Sequence, residues 1–176
     1  INLASMLKSH PTEQPRILSD FVTSQNFPLV EPNRVTFFYW DEESIDGVRL
    51  QHWLYGLEAQ QDMRRLADTN AFWCTLELPD TARVEYQYIL EKGEQHTIIT
   101  DPHNPKQSRS QRHIKSVCAL SEYQTPHWTI QQSKTPPGTL DEWEMFSSIF
   151  AETKSICVYL PNEYQEHKKY PLLICL

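Results

Sequence analysis

Glycine is scarce in this chain, with four among 176 residues, at positions 47, 56, 93 and 138. No two of them stand four apart, so the sequence holds no G-x-S-x-G nucleophile elbow, whose sharp strand-to-helix turn needs glycine for close backbone approach. The same spacing excludes a P-loop and a dinucleotide-binding fingerprint, which both need clustered glycines. H-E-x-x-H is absent and the seven His are scattered, so no metal ligand set and no cofactor is read from the sequence. No run approaches the roughly 18 consecutive apolar residues of a membrane-spanning helix. Cations are in deficit too: 16 Lys and Arg against 23 Asp and Glu give a net charge of −7. That leaves no basic stripe to neutralise phosphates, which argues against a nucleic-acid partner. The four Cys (Cys74, Cys118, Cys157, Cys175) are far apart and form no C-x-x-C. Each sits in an apolar, strand-like segment, where cysteine acts as a small buried hydrophobe rather than half of a disulfide. Reduced cysteines favour a reducing compartment, and a cytoplasmic location is expected.

What the chain does have is aromatic residues and proline: five Trp, eight Tyr, seven Phe and twelve Pro. Frequent prolines suit short strands and turns better than long helices. An opening helix is expected after Pro15, where Ile17, Leu18, Phe21 and Val22 follow helical spacing up to Asn26. Strands then follow in close order. Residues 34–40 are almost wholly β-branched or aromatic. In residues 48–55, Val48, Leu50, His52 and Leu54 alternate with Arg49, Gln51, Trp53 and Tyr55. In residues 72–78, Phe72, Cys74, Leu76 and Leu78 alternate with Trp73, Thr75 and Glu77. Val84, Tyr86, Tyr88 and Leu90 share one face of the next strand, with Glu85 and Gln87 turned away. Shorter strands are expected over 95–99, 116–120 and 128–132, and Lys92-Gly93 closes a hairpin. Several short strands divided by turn signals read as a mainly β protein, a β-sandwich with an N-terminal helical segment.

Residues 133–139, Ser-Lys-Thr-Pro-Pro-Gly-Thr, form a Pro/Gly linker and the expected domain boundary. Beyond it, residues 140–150 and 155–160 read as a strand pair, and 170–176 as a further strand. That last segment is an unbroken apolar run, the pattern of a strand buried on both faces. The chain therefore reads as the front of a longer protein, and the exposed tail strands offer a route to a homo-oligomer.

Among possible sites, Asp101-Pro-His-Asn-Pro105 places a carboxylate beside an imidazole, but its two prolines read as a rigid turn. Asp41-Glu42-Glu43 reads as a solvated loop with no partner base. Ser110 with His113, and Ser121 with His127, are close in sequence, yet neither stands on an elbow. The aromatic face carries more. Inward Val48, Leu50 and Leu54 put Arg49, Trp53 and Tyr55 outward, and inward Phe72 and Leu76 put Trp73 outward. These four are the substrate-binding candidates, with Trp53 and Trp73 expected on one outer face. Packing against another domain or the N-terminal helix is one use of such a face, since interfaces favour Trp, Tyr and Arg. A sugar-stacking platform is the other.

Several segments, in order, resemble one family. They are Phe27-Pro-Leu-Val-Glu, Val35-Thr-Phe-Phe-Tyr-Trp, Ala71-Phe-Trp, Leu76-Glu-Leu-Pro, Val84-Glu-Tyr-Gln-Tyr-Ile and Asp101-Pro-His-Asn-Pro105. Together they resemble the N-terminal domain of enterochelin esterases. Val158-Tyr-Leu-Pro-Asn-Glu-Tyr164 and Tyr170-Pro-Leu-Leu-Ile resemble the start of the α/β-hydrolase domain in that family. The β-rich half is also similar to immunoglobulin-like modules that precede starch- and glycogen-processing enzymes. The resemblance implies an early-set, immunoglobulin-like sandwich over residues 1–135, then the first strands of a hydrolase sheet over 136–176. It implies a parent that cleaves esters by Ser-His-acid acyl transfer, with a ferric siderophore as a possible substrate and its own C-terminal hydrolase domain as partner. None of the family's catalytic residues has a counterpart in this chain. A carbohydrate-binding module and a purely structural or dimerisation domain stay open as alternatives.

Overall fold

The structure is a computed structural model that describes residues 3–108, 114–130 and 136–174. They fall into two compact units, residues 1–124 and 125–176. The expected linker contributes only residues 136–139 to the described set.

The first unit opens with helix α1 (Leu3–Ser9) and, after a 3₁₀ turn at Pro11–Glu13, helix α2 (Gln14–Ser24). Pro15 stands at the start of α2, where its missing N–H has no helical acceptor to lose. Strands β1 (Leu29–Glu31), β2 (Arg34–Trp40), β3 (Gly47–His52), β4 (Gln60–Asp62) and β5 (Arg64–Arg65) follow. Next come β6 (Ala71–Glu77), β7 (Arg83–Lys92), β8 (Gln95–Ile99) and β9 (Ser116–Ala119). One sheet runs β1-β2-β6-β5 and the other β4-β3-β7-β8, with β9 also on β7, and every pairing is antiparallel.

The two inner faces meet in one core. Val35, Phe37, Tyr39, Phe72 and Leu76 from the first sheet pack with Val48, Leu50, Val84, Tyr86 and Tyr88 from the second. Val84, Tyr86 and Tyr88 are buried as their alternation predicts, while Glu85 and Gln87 lie on the opposite face, half-exposed. Edge-to-face contacts join the sheets, Phe37 to Tyr86 at 4.7 Å and Tyr39 to Tyr88 at 5.6 Å between ring centroids, a geometry that aligns ring edges with the negative faces. The first sheet departs from simple alternation because both its faces are covered. On its outer side Phe38 and Ala71 are buried with Leu7, Leu18 and Phe27, and Ile17, Phe21 and Val22 of α2 pack on them. The apolar stripe of α2 is thus the reason β2 is buried at 37, 38 and 39 in succession.

The second unit holds strands β10 (Thr139–Ser147) and β11 (Glu152–Leu160), paired in register from Thr139–Leu160 to Ser147–Glu152. Ala151, with φ of 52°, completes the turn between them. Trp143, Met145, Ile156, Val158 and Leu160 share one face of this hairpin. Two expected strands do not form. Residues 127–129 make a 3₁₀ turn instead, held by the Thr129 hydroxyl and N–H on the Pro126 carbonyl; residues 131 and 132 lie outside the described residues. Residues 170–174 have no regular structure, and Leu172 and Leu173 are exposed. An apolar run is a strand only when a neighbour completes its ladder, and none of the described residues of this unit does so.

Candidate functional site

Strand β3 and the turn after it carry three of the four candidate residues. Arg49 and Trp53 extend from the outer side of the second sheet, and Tyr55 stands on a turn closed by the Leu57 N–H donating to the Leu54 carbonyl at 3.4 Å. Gly56 occupies the third position of that turn with φ of +84°, a conformation that disfavours any side chain. Tyr55 therefore points wholly into solvent, and Trp53 is 51% exposed.

Neither Arg49 nor the Trp53 ring is a free binding group. Arg49 donates from Nη1 to Gln60 Oε1 at 2.8 Å, and its Nε lies 2.7 Å from Glu91 Oε1. Its charge is spent within the sheet. The Lys115 ammonium sits 3.5 Å from the centroid of the Trp53 ring, a cation–π contact, and 3.8 Å from Glu85 Oε2. One face of the indole is thereby covered by the protein itself.

Trp73 lies elsewhere. It belongs to β6 in the other sheet, half-buried against the helices, with the Arg64 guanidinium 5.6 Å from its ring. The expectation that Trp53 and Trp73 share an outer face is thus corrected. Both alternate outward from their own strands, but those strands belong to opposite sheets, so the two side chains leave the sandwich in opposite directions.

A buried polar cluster, not foreseen as such from the sequence, lies inside the sandwich. The turn after β8 inserts Asp101 and Asn104, each 2% exposed, against the core tyrosines. Tyr86 donates to Asp101 Oδ2 at 2.6 Å, and the Tyr88 hydroxyl lies 3.1 Å from both that oxygen and the Phe38 carbonyl of the facing sheet. The His103 N–H donates to Asp101 Oδ1 at 2.8 Å, and the Asp101 N–H to Ser116 Oγ at 2.8 Å. Asn104 donates from Nδ2 to the Tyr86 hydroxyl and to the Val117 carbonyl, both at 3.0 Å. The rigid turn read from the two prolines is present, and its carboxylate ties that turn to β7, while the Tyr88 hydroxyl on the Phe38 carbonyl and His103 Nε2–H on the Trp40 carbonyl reach across to the first sheet. Burial pushes the Asp101 carboxyl up, against the opposing pull of the Tyr86 and His103 hydrogen bonds. Burial, then the Asp101 charge, pushes the Tyr86 and Tyr88 hydroxyls far above the usual range. Such tyrosines stay protonated as donors, which is the state of a structural clamp rather than of a base.

His52 is a further buried ionisable group, on the inner side of β3. Its Nδ1 accepts from the Leu54 N–H at 3.3 Å, and burial lowers its pKa from the ordinary 6.5. Beside the Asp101 turn, a groove of about 830 Å³ runs from Phe27 and Pro28 to His103 and Lys106. His103 Nε2–H donates to the Trp40 carbonyl at 3.2 Å, which occupies the imidazole edge nearest the sheet. Ser110 and His113 lie outside the described residues, and Ser121 and His127 fall in different units. Among the described residues no group of three or more His, Cys, Asp or Glu is placed to hold a metal ion, and none of the helices is long and apolar enough to cross a membrane.

No protein-family model matches the sequence. No curated protein matches it either. Solved structures do resemble the fold. The enterobactin esterase of Shigella flexneri with 2,3-dihydroxy-N-benzoyl-serine shares 19% identity, covering 77% of this chain and 43% of that one, at a TM-score of 0.51. The same enzyme with enterobactin gives 18% identity, the same coverage and a TM-score of 0.51. The ferric enterobactin esterase of Salmonella typhimurium gives 17% identity, 79% and 45% coverage, and a TM-score of 0.53. This chain spans less than half the length of those proteins, and its mainly β architecture with short N-terminal helices is that of part of an enterobactin esterase.

Proposed function

We propose that this chain is the accessory N-terminal region of a serine esterase of the enterobactin esterase type, followed by the first strands of the catalytic sheet. The observation that carries the reading is the structural likeness to part of two longer esterases, one of them in two structures. The β10–β11 hairpin supports it, since Trp143 and Met145 are half-exposed on an apolar face that further strands and helices of a hydrolase domain would cover. In this reading the parent hydrolyses ester bonds by Ser-His-acid acyl transfer. The nucleophile elbow lies in its catalytic domain, because no two glycines here stand four apart. A ferric siderophore is the proposed substrate and iron acquisition the role, with Tyr55 and the indole face of Trp53 that Lys115 leaves uncovered as aromatic contacts for its rings. The unpaired Cys74, Cys118 and Cys157 fit a cytoplasmic setting. Sugar stacking is the weaker alternative, because the two-tryptophan platform it requires is split between sheets.

Hydrolysis of a nitrophenyl ester by the purified chain tests the assignment. We expect none above the buffer rate. Turnover that disappears when one of the chain's own serines is replaced by alanine would place a catalytic nucleophile in this fragment and overturn the reading.

A further inference from the structure

Strand edges with unpaired N–H and C=O groups are templates for another chain, and proteins blunt them with short strands, charge, proline or a covering segment. Among the described residues, this sandwich blunts all its edges but one. Strand β1 has three residues, ends in Glu31 and stands between Pro28 and Pro32. Strand β4 has three residues and ends in Asp62, and β5 is the pair Arg64–Arg65. The outer side of β9 is taken up by residues 106–108, through the Val117 N–H on the Lys106 carbonyl and the Ser108 N–H on the Lys115 carbonyl.

Strand β8 has none of these devices. Its five residues, Gln95-His-Thr-Ile-Ile99, contain no proline, Lys, Arg, Asp or Glu. It pairs with β7 on one side and, among the described residues, with no strand on the other. Ile98 is 58% exposed.

The register fixes which backbone groups this edge offers. Lys92 and Gln95 flank the two-residue loop Gly93–Glu94, so they exchange both their hydrogen bonds, as do Leu90 with Thr97 and Tyr88 with Ile99. Glu91 confirms the phase, because its carbonyl accepts from the Asp46 N–H at 2.8 Å, on the far side of β7. His96 and Ile98 therefore aim their N–H and C=O groups away from the sheet.

We propose that a second copy of this chain adds here, strand β8 to strand β8, antiparallel about a two-fold axis at Ile98. Ile98 then exchanges both hydrogen bonds with its own mate, and His96 faces the mate's Thr100. The strand is self-complementary in this register. Its opposed pairs are Ile98 with Ile98, Thr97 with Ile99 and His96 with Thr100, so no two carboxylates or ammonium groups meet. The side chains also match. Ile98 stands beside buried Ile89 on the outer face, and pairing extends that apolar row across the axis.

The test is sedimentation of the 176-residue chain from micromolar to submillimolar concentration, with amide hydrogen exchange followed by NMR. We expect the mass to double. Exchange at His96 and Ile98 should slow by about 10-fold or more as dimer forms, while Thr97, bonded to β7, stays protected throughout. Two variants probe the edge. Ile98→Lys places a charge at the axis, and His96→Pro removes an outward N–H without removing a β7–β8 bond. Each should weaken association by about 10-fold or more with the circular dichroism of the parent chain. A monomer at all concentrations overturns the proposal. So does a dimer in which His96 and Ile98 exchange as fast as in dilute solution, since association would then run through another surface such as the Trp143 face of the hairpin. That exchange pattern decides the matter in the parent chain even where a variant fails to fold.

Discussion

Replacing Asp101 by alanine should be among the most destabilising single changes in the first unit. The carboxylate accepts from the Tyr86 hydroxyl, the Tyr88 hydroxyl and the His103 N–H; the two tyrosines are fully buried, and His103 is half-buried beside the groove. Tyr88 keeps an acceptor in the Phe38 carbonyl, so two donors, those of Tyr86 and His103, lose their main partner. A buried donor left unpaired costs about 1–3 kcal/mol, and the half-buried His103 N–H stands at the low end of that range, giving roughly 2–4 kcal/mol for the two. Removing the carboxylate also relieves its own burial penalty, the cause of its raised pKa, and this argues for the middle of the range, about 3 kcal/mol. In a unit of this size that corresponds to a melting temperature lower by about 10 °C. Urea unfolding followed by tryptophan fluorescence and circular dichroism measures it. Tyr86→Phe alone should cost about 2 kcal/mol, and much less once Asp101 is alanine, because the two share one interaction. Asp101→Ala costing under about 1 kcal/mol, or fully additive effects with Tyr86→Phe, would refute the clamp.

Two further outcomes follow from the same structure. His52 is buried and accepts a hydrogen bond at Nδ1, so its folded pKa lies below 6.5 and the unfolded chain takes up the proton first. Stability contributed by neutral His52 is complete above pH 6.5 and is lost as pH falls from there towards the folded value; His52→Gln should flatten the stability–pH curve in that window, and an unchanged slope would contradict the assignment. Trp73 packs against the helices while Trp53 stands half in solvent, so Trp73→Ala should cost about 2–4 kcal/mol in urea unfolding and Trp53→Ala about 1 kcal/mol or less. Equal losses would mean that Trp53, too, is part of the packing.

The sequence alone located β2, β3, β6, β7, β8 and β9 and the inner faces of β3, β6 and β7. Alternation is a local property of an extended backbone, so Val84, Tyr86 and Tyr88 declared their burial without reference to any partner. The Pro15 helix start, the Lys92-Gly93 hairpin and the rigid turn at Asp101 were likewise legible, because each rests on the chemistry of a few neighbouring residues. What alternation does not carry is the identity of the sheet that a strand joins or the element that covers its outer side. Trp53 and Trp73 have the same local signature, yet one faces solvent beside Lys115 and the other packs against the cluster that Leu7 and Leu18 of the helices form with Phe27, Phe38 and Ala71. The Asp101 clamp was hidden for the same reason. Its carboxylate partners come from positions 86, 88 and 103 and its N–H acceptor from 116, and only the pairing of β7 with β8 and β9, under the facing sheet, gathers them round one residue out of reach of water. The apolar run over 170–174 shows the converse, since high strand propensity produced no strand where none of the described residues completes its hydrogen bonds.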